Sequence, residues 1–219
     1  MTAAARALER YDWAWIAQQL DAEGWAPLPA LFSAAQVHAL TAAFDAPAAA
    51  SQAQALAHQG ERRYLNGALP CTLDGLAPAL HARLAPLAQS WSQRLGRVAA
   101  SLPLALADSP LLHRLREDEA HPLTHKIDDA AFPLRLVALL SDPGQDFSGG
   151  EFVMTEQRPR QQSRPLVLPL GLGDAALIAA AHRPIRGAQG DYRATLRHAI
   201  SRVRGGVRLG LELPLNSPR

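Results

Sequence analysis

Cysteine occurs once in 219 residues, at Cys71, which excludes an intramolecular disulfide and any zinc site built from several thiolates. Cys71 itself is expected to be a small buried hydrophobe. Lysine also occurs once, as Lys126, so arginine carries nearly all of the positive charge. Aromatic residues are scarce at 5%, leaving Tyr192 and Phe152 as the few candidates to stack on an unpaired base. No apolar run approaches the roughly 20 residues that span a bilayer. Met1 to Trp15 carries charge and aromatics where an export signal needs an apolar stretch. The expectation is a cytoplasmic protein with no membrane partner; the sequence says nothing of oligomeric state.

Hydrophobic residues make up 48% and charged residues 19%, as in chains that bury a single substantial core. The net charge is only +2, but it is unevenly spread. Ten arginines and only two acids, Asp174 and Asp191, lie between Arg158 and Arg208. That half suits an anionic ligand or partner. The segment from Arg158 to Arg164 reads either as a grip on phosphates or as a solvated loop tied to nearby carboxylates.

The first hundred residues read as helices. Asp12 caps a segment with Trp13, Ile16 and Leu20 at helical spacing, ended by Gly24. Ser33 and Gln36 form a capping box ahead of Val37, Leu40 and Phe44. Pro47 to Gln59, rich in Ala, Gln and Ser, reads as a frayed helix or loop. After Pro78 a stripe of Leu80, Leu84, Leu87, Trp91 and Leu95 runs to Gly96. From Phe132 the period becomes extended. Strands are expected over Phe132 to Leu140, Glu151 to Thr155, Leu166 to Leu170, Ala175 to Ala179, Arg193 to Val203 and Val207 to Leu213, with Gly and Pro turns between them. Such spacing suggests a sandwich or jelly roll. The fold class expected is α+β. Residues 1–105 form a helical region, and residues 106–219 form a double-stranded β-helix, a jelly-roll or cupin-like barrel.

In the strand Arg193 to Val203, Leu196, His198 and Ile200 share a face, so His198 points inward with its apolar neighbours. Arg208 follows on the next strand, near the barrel wall if Gly205-Gly206 makes a hairpin. A neutral imidazole suits ferrous iron, and a guanidinium fork suits a carboxylate. One strand pair would then hold metal and co-substrate together. The plain alternatives are a satisfied core histidine and a surface arginine.

Ordered blocks surround these residues: Phe132-Pro133-Leu134, Leu139-Leu140-Ser141-Asp142-Pro143-Gly144, Asp146-Phe147-Ser148-Gly149-Gly150-Glu151-Phe152-Val153, and Thr155 to Arg160. Further blocks are Gln162-Ser163-Arg164, Pro169-Leu170, Gly173-Asp174-Ala175, His182-Arg183-Pro184, Tyr192-Arg193 and Arg197-His198-Ala199-Ile200-Ser201-Arg202-Val203. Together they resemble a bacterial 2-oxoglutarate/iron(II) oxygenase family related to the AlkB-type enzymes that oxidatively demethylate damaged nucleic acid. The resemblance implies Fe(II), 2-oxoglutarate and O2 as cofactor and co-substrates, with a nucleic-acid substrate. It matches His198 to the distal iron ligand and Arg208 to the arginine that binds the far carboxylate of 2-oxoglutarate.

The proximal part of that pattern is altered. The family takes a histidine and a carboxylate from a His-x-Asp or His-x-Glu triplet just ahead of the Phe-Pro-Leu strand. This chain reads His121-Pro122-Leu123-Thr124-His125-Lys126-Ile127-Asp128-Asp129, with Leu123 and His125 at those places. His125 with Asp128 or Asp129 is one substitute set; His121 with His125 and no carboxylate is another; a vacant site is the third. Lys126 opposes a divalent cation there. The family's His-Asp-Ala ending is replaced by Leu213-Pro214-Leu215-Asn216. The metal set read for this chain is His198, His125 and Asp128. The competing reading is a degenerate member that binds anions or nucleic acid without catalysis.

Overall fold

The computed structural model describes residues 3–46, 51–65, 70–96, 109–124 and 132–215. Helix α1 (Ala3–Ala7) and a 3-10 turn (Leu8–Arg10) lead into α2 (Trp13–Glu23). The Asp12 side chain accepts from the Ala14 and Trp15 amides, satisfying donors that a helix start leaves unpaired. Gly24, at φ 76°, closes the helix through an N–H bond to the Leu20 carbonyl. The chain continues as β1 (Trp25–Leu28) and α3 (Ala34–Asp45), whose start carries the Ser33/Gln36 capping box in full. Helix α4 (Leu76–Arg94) buries Leu80, Leu84 and Trp91 along one stripe, and Trp91 Nε1 donates to Asp21 at 2.8 Å.

The stretch expected to be frayed helix or loop is instead β2 (Ser51–Leu56), hairpinned to β3 (Gly60–Leu65) through His58 at φ 58° and Gly60 at φ 74°. Its Gln52-Ala53-Gln54-Ala55 alternation offers only alanine, a poor strand former, on the apolar side, so strand identity comes from pairing with β3. The N-terminal hundred residues therefore supply three strands as well as helices. Cys71 is exposed, which corrects its reading as a buried hydrophobe; it lies in the turn before α4, where no core reaches it.

Ten more strands follow: β4 (Leu111–Arg116), β5 (His121–Thr124), β6 (Leu134–Leu139), β7 (Phe147–Gly149), β8 (Phe152–Gln157), β9 (Arg164–Leu168), β10 (Ala175–Ala179), β11 (His182–Gly187), β12 (Gly190–Ile200) and β13 (Val203–Pro214). All ladder pairings among the described strands are antiparallel. They form two sheets. The larger has eight strands in the order β1-β10-β6-β13-β4-β3-β2 with β7 beside β13, and the smaller has five in the order β11-β12-β8-β9 with β5 beside β12. Apolar side chains of both sheets, Leu136, Leu211 and Leu213 from one and Met154, Leu196 and Ile200 from the other, belong to one core with the helices. Every residue of β10 is buried, as expected for a strand covered on both faces.

The larger sheet thus bridges residue 105: β1 pairs with β10, and β3 with β4. The connection from β12 to β13 departs from the expected hairpin. Gly205 and Gly206 lie inside β13, opposite β7 and beside a register shift, and β12 and β13 belong to different sheets. Gly206, at φ 78°, leaves no room for a side chain against the Asp146 carbonyl. Among the described residues no helix is long and apolar enough to cross a membrane.

Candidate active site

Strand pairing places charged side chains in adjacent rows on one face of the large sheet. Arg62 is opposite His113, and His113 is opposite Gly210. Tyr64 is opposite Leu111, Leu111 opposite Glu212, and Arg135 pairs in register with Pro214. Arg208, Gly210 and Glu212 alternate with Leu209 and Leu211, so the three share a face. The small sheet contributes His198 and, across its bulged pairing with β5, His121. A cavity of about 250 Å³ lies between the sheets, walled by Arg62, Tyr64, His121, His198, Arg135 and Glu212 among others.

Burial sets the charge states. His121 is 8% exposed, and its imidazole is pushed down to about 4, by burial first and then by the Arg62 guanidinium. His113 is held well below the ordinary histidine range by burial and by the neighbouring His121. Both rings are neutral near pH 7. Their centroids are 5.0 Å apart, and His113 Nδ1 and His121 Nε2 are buried without hydrogen-bond partners. Burial, the largest influence on Glu212, opposes its ionisation, yet His198, Arg135, His121 and Arg62 hold its carboxyl below the usual range. Arg135 Nη1 bonds Glu212 at 2.9 Å. The His198 ring stacks on Phe152 at 5.9 Å and 6°, which orients the imidazole.

Arg208 is 2% exposed and so is no surface arginine. Its Nε donates to the Gly150 carbonyl at 2.7 Å, its guanidinium lies 5.9 Å from the Phe147 ring, and Nη1 is buried without a partner. Gly210 makes this packing possible. A methyl there would lie 2.5 Å from His113 Nε2 and 2.9 Å from Arg208 Nη1, so both groups occupy the space a side chain would need. Gly210→Ala is expected to destabilise by about 1–3 kcal/mol through overpacking, a fall of roughly 2–12 °C in Tm. Adding His113→Ala should restore most of it. A single variant melting with the wild type would show that the ring is free to move aside.

His198 and Arg208 both point inward as the sequence indicates, but they come from facing sheets rather than from one hairpin. The chain passes from the small sheet to the large one between Ile200 and Val203, a crossing that no local signal around Gly205 records. His125 and Asp128, with Asp129 and Lys126, lie outside the described residues. Thr124, the last residue of β5, is directly opposite His198 and lines the cavity. Leu123 is 45% exposed. Among the described residues no group of three His, Cys, Asp or Glu is placed to hold a metal ion. Sequence reasoning missed Arg62, His113, Arg135 and Glu212. Glu212 was within reach of it, because it shares strand parity with Arg208.

Arg158 and Arg164 are tied to carboxylates, Arg158 to Glu156 at 2.7 Å and Arg164 to Glu23 at 2.8 Å. The tied-loop reading therefore holds for those two, while Arg160 projects at φ 59°. His182 is 6% exposed, buried in β11.

This pair of antiparallel sheets with leading helices is the fold of the 2OG-Fe(II) oxygenases. A 2OG-Fe(II) oxygenase-family oxidoreductase of Burkholderia pseudomallei is similar over 96% of each chain, with a TM-score of 0.54 at 20% identity. The α-ketoglutarate-dependent epimerase SnoN of nogalamycin biosynthesis is similar over 91% of this chain and 80% of its own, with a TM-score of 0.59 at 15% identity. Residues 60–217 match the Oxygenase-NA family, described as an oxygenase "catalysing oxidative methylation of damaged DNA". The chain belongs to that family. It is also 32% identical over 173 residues to an uncharacterized protein of Mycobacterium tuberculosis, covering 71% of this chain and 74% of that one.

Proposed function

We propose that the protein is an Fe(II)/2-oxoglutarate-dependent dioxygenase that hydroxylates or oxidatively demethylates its substrate, with damaged nucleic acid as the substrate class, and that its two sheets form a double-stranded β-helix. The observation that carries this reading is Arg208. A guanidinium so deeply buried with an unpartnered Nη1 is costly to the fold. A carboxylate at that atom would relieve the cost. The neutral His121 imidazole at the cavity wall suits ferrous iron.

In this reading Arg208 holds the far carboxylate of 2-oxoglutarate. His198, kept in orientation by Phe152, is one iron ligand, and the remaining ligands come from the 121–129 segment, with His125 and Asp128 the assigned pair. Bound iron with 2-oxoglutarate and O2 supplies the oxidant that turns a substrate C–H into C–OH while 2-oxoglutarate becomes succinate and CO2. An N-methyl group hydroxylated in this way is lost as formaldehyde. The protein's part is to hold these groups in fixed orientation within the cavity between the sheets.

The altered His-x-acid position supports a second reading, an anion or nucleic-acid binding module without iron chemistry. Arg193 and Arg197 stand exposed on the outer face of the small sheet, where phosphates could reach them.

The deciding experiment is an anaerobic titration of ferrous iron and 2-oxoglutarate into the protein. A weak visible charge-transfer band that His198→Ala abolishes is the expected result. No band, with Tm unmoved by iron or manganese, overturns the dioxygenase reading in favour of the second.

A further inference from the structure

Arg62 stands outside the role just assigned to Arg208. It lies on β3, at the wall of the cavity formed by the N-terminal hairpin, next but one to Tyr64 on the same strand face. Among the described residues, its Nη2 donates to Gln59 at 3.4 Å and its Nε is buried without a partner. Across the wall, Arg135 spends Nη1 on Glu212 and keeps a second buried donor, Nε, unpartnered. Two guanidiniums and one carboxylate thus line a space of about 250 Å³. Among the described residues, the wall therefore carries more positive than negative charge and keeps unused donors. Unused buried donors cost free energy that an acceptor oxygen would recover.

We propose that Arg62 and Arg135 form an oxyanion subsite that grips a phosphate or carboxylate of the molecule entering this cavity, separate from the Arg208 carboxylate site. The chemistry fits: guanidiniums meet phosphate and carboxylate oxygens in forked geometry and stay charged at every working pH. Arg62 is a positioning and specificity residue here. Because it comes from the hairpin rather than the central strands, it sets which substrates are held without touching the groups that hold 2-oxoglutarate. The inference deepens the dioxygenase reading but does not need iron.

The test is calorimetric titration of the metal-free full chain with four probes: inorganic phosphate, thymidine 5′-monophosphate, glutarate and 2-oxoglutarate. The wild type is expected to bind phosphate or the monophosphate, and Arg62→Met to weaken that binding about tenfold, with Arg62→Lys intermediate. The 2-oxoglutarate affinity should stay within twofold in Arg62→Met and collapse in Arg208→Met. A preference for thymidine monophosphate over glutarate identifies phosphate as the gripped group; an Arg62-dependent glutarate site that survives Arg208→Met identifies carboxylate. The proposal is overturned if Arg62→Met leaves every probe unchanged, or if it abolishes 2-oxoglutarate binding and so assigns Arg62 to the co-substrate. Arg62-dependent phosphate binding in a chain that never binds iron would uphold the subsite and remove only the dioxygenase reading. Equal circular dichroism spectra of wild type and Arg62→Met exclude misfolding as the cause.

Discussion

Replacing Arg208 with methionine should abolish 2-oxoglutarate binding while leaving the ligand-free protein at least as stable as the wild type. Both halves follow from the same burial. The guanidinium is held down to about 10, chiefly by desolvation and against the pull of Glu212 and Glu151, so it is still charged at pH 7. A base whose folded-state value is depressed opposes folding wherever it remains protonated, and that penalty fades only as pH rises through the folded value. Methionine removes the charge and the orphaned Nη1 while keeping most of the volume, at the loss of one bond to the Gly150 carbonyl. For the co-substrate the balance is reversed. Losing a buried charge partner costs about 2–5 kcal/mol, or roughly 30- to several-thousand-fold in Kd. Calorimetry with 2-oxoglutarate and a melting curve without it read the two halves separately. A Kd within twofold of the wild type would remove Arg208 from the co-substrate site.

The second large effect is on the fold. Glu156→Gln should destabilise by about 3–5 kcal/mol, a fall of roughly 6–20 °C in Tm for a chain of this size. Glu156 is 1% exposed and Arg183 2%. Arg183 Nε donates to Glu156 at 2.8 Å and its Nη1 donates to the Asp21 carbonyl at 2.6 Å, while Arg158 takes the other carboxylate oxygen at 2.7 Å. One carboxylate thus ties β8 to β11, and through Arg183 to the end of α2. Taking away its charge strands a buried guanidinium in an apolar setting. Replacing both partners by apolar residues, as in Glu156→Leu with Arg183→Met, should recover much of the loss, since buried ion pairs often contribute little net stability. Thermal unfolding of the single and double variants measures this. A single variant that melts within 2 °C of the wild type would show that water reaches the pair.

What the sequence determined by itself is local. Asp12, Gly24, Ser33 and Gln36 mark helix ends because their side chains or missing side chains act on amides within four residues. Ala175 to Ala179 is legible as a strand because a short apolar run bounded by turns has few other uses. The resemblance carried in the blocks from Phe132 to Val203 reaches the family and the inward placement of His198 and Arg208. The tertiary structure decided the rest. β2 is a strand because β3 offers it a partner, and no composition within Ser51–Leu56 says so. His198 and Arg208 sit on different sheets because β12 and β13 pair with different strands, a choice set by distant parts of the chain. Arg62, Arg135 and Glu212 come from strands far apart in the chain, and only the ladders through β4 and β13 bring them to one wall. Caps and periods depend on neighbours a few residues away, whereas sheet order and the charge balance of a buried cavity depend on strands that meet only once the chain has folded.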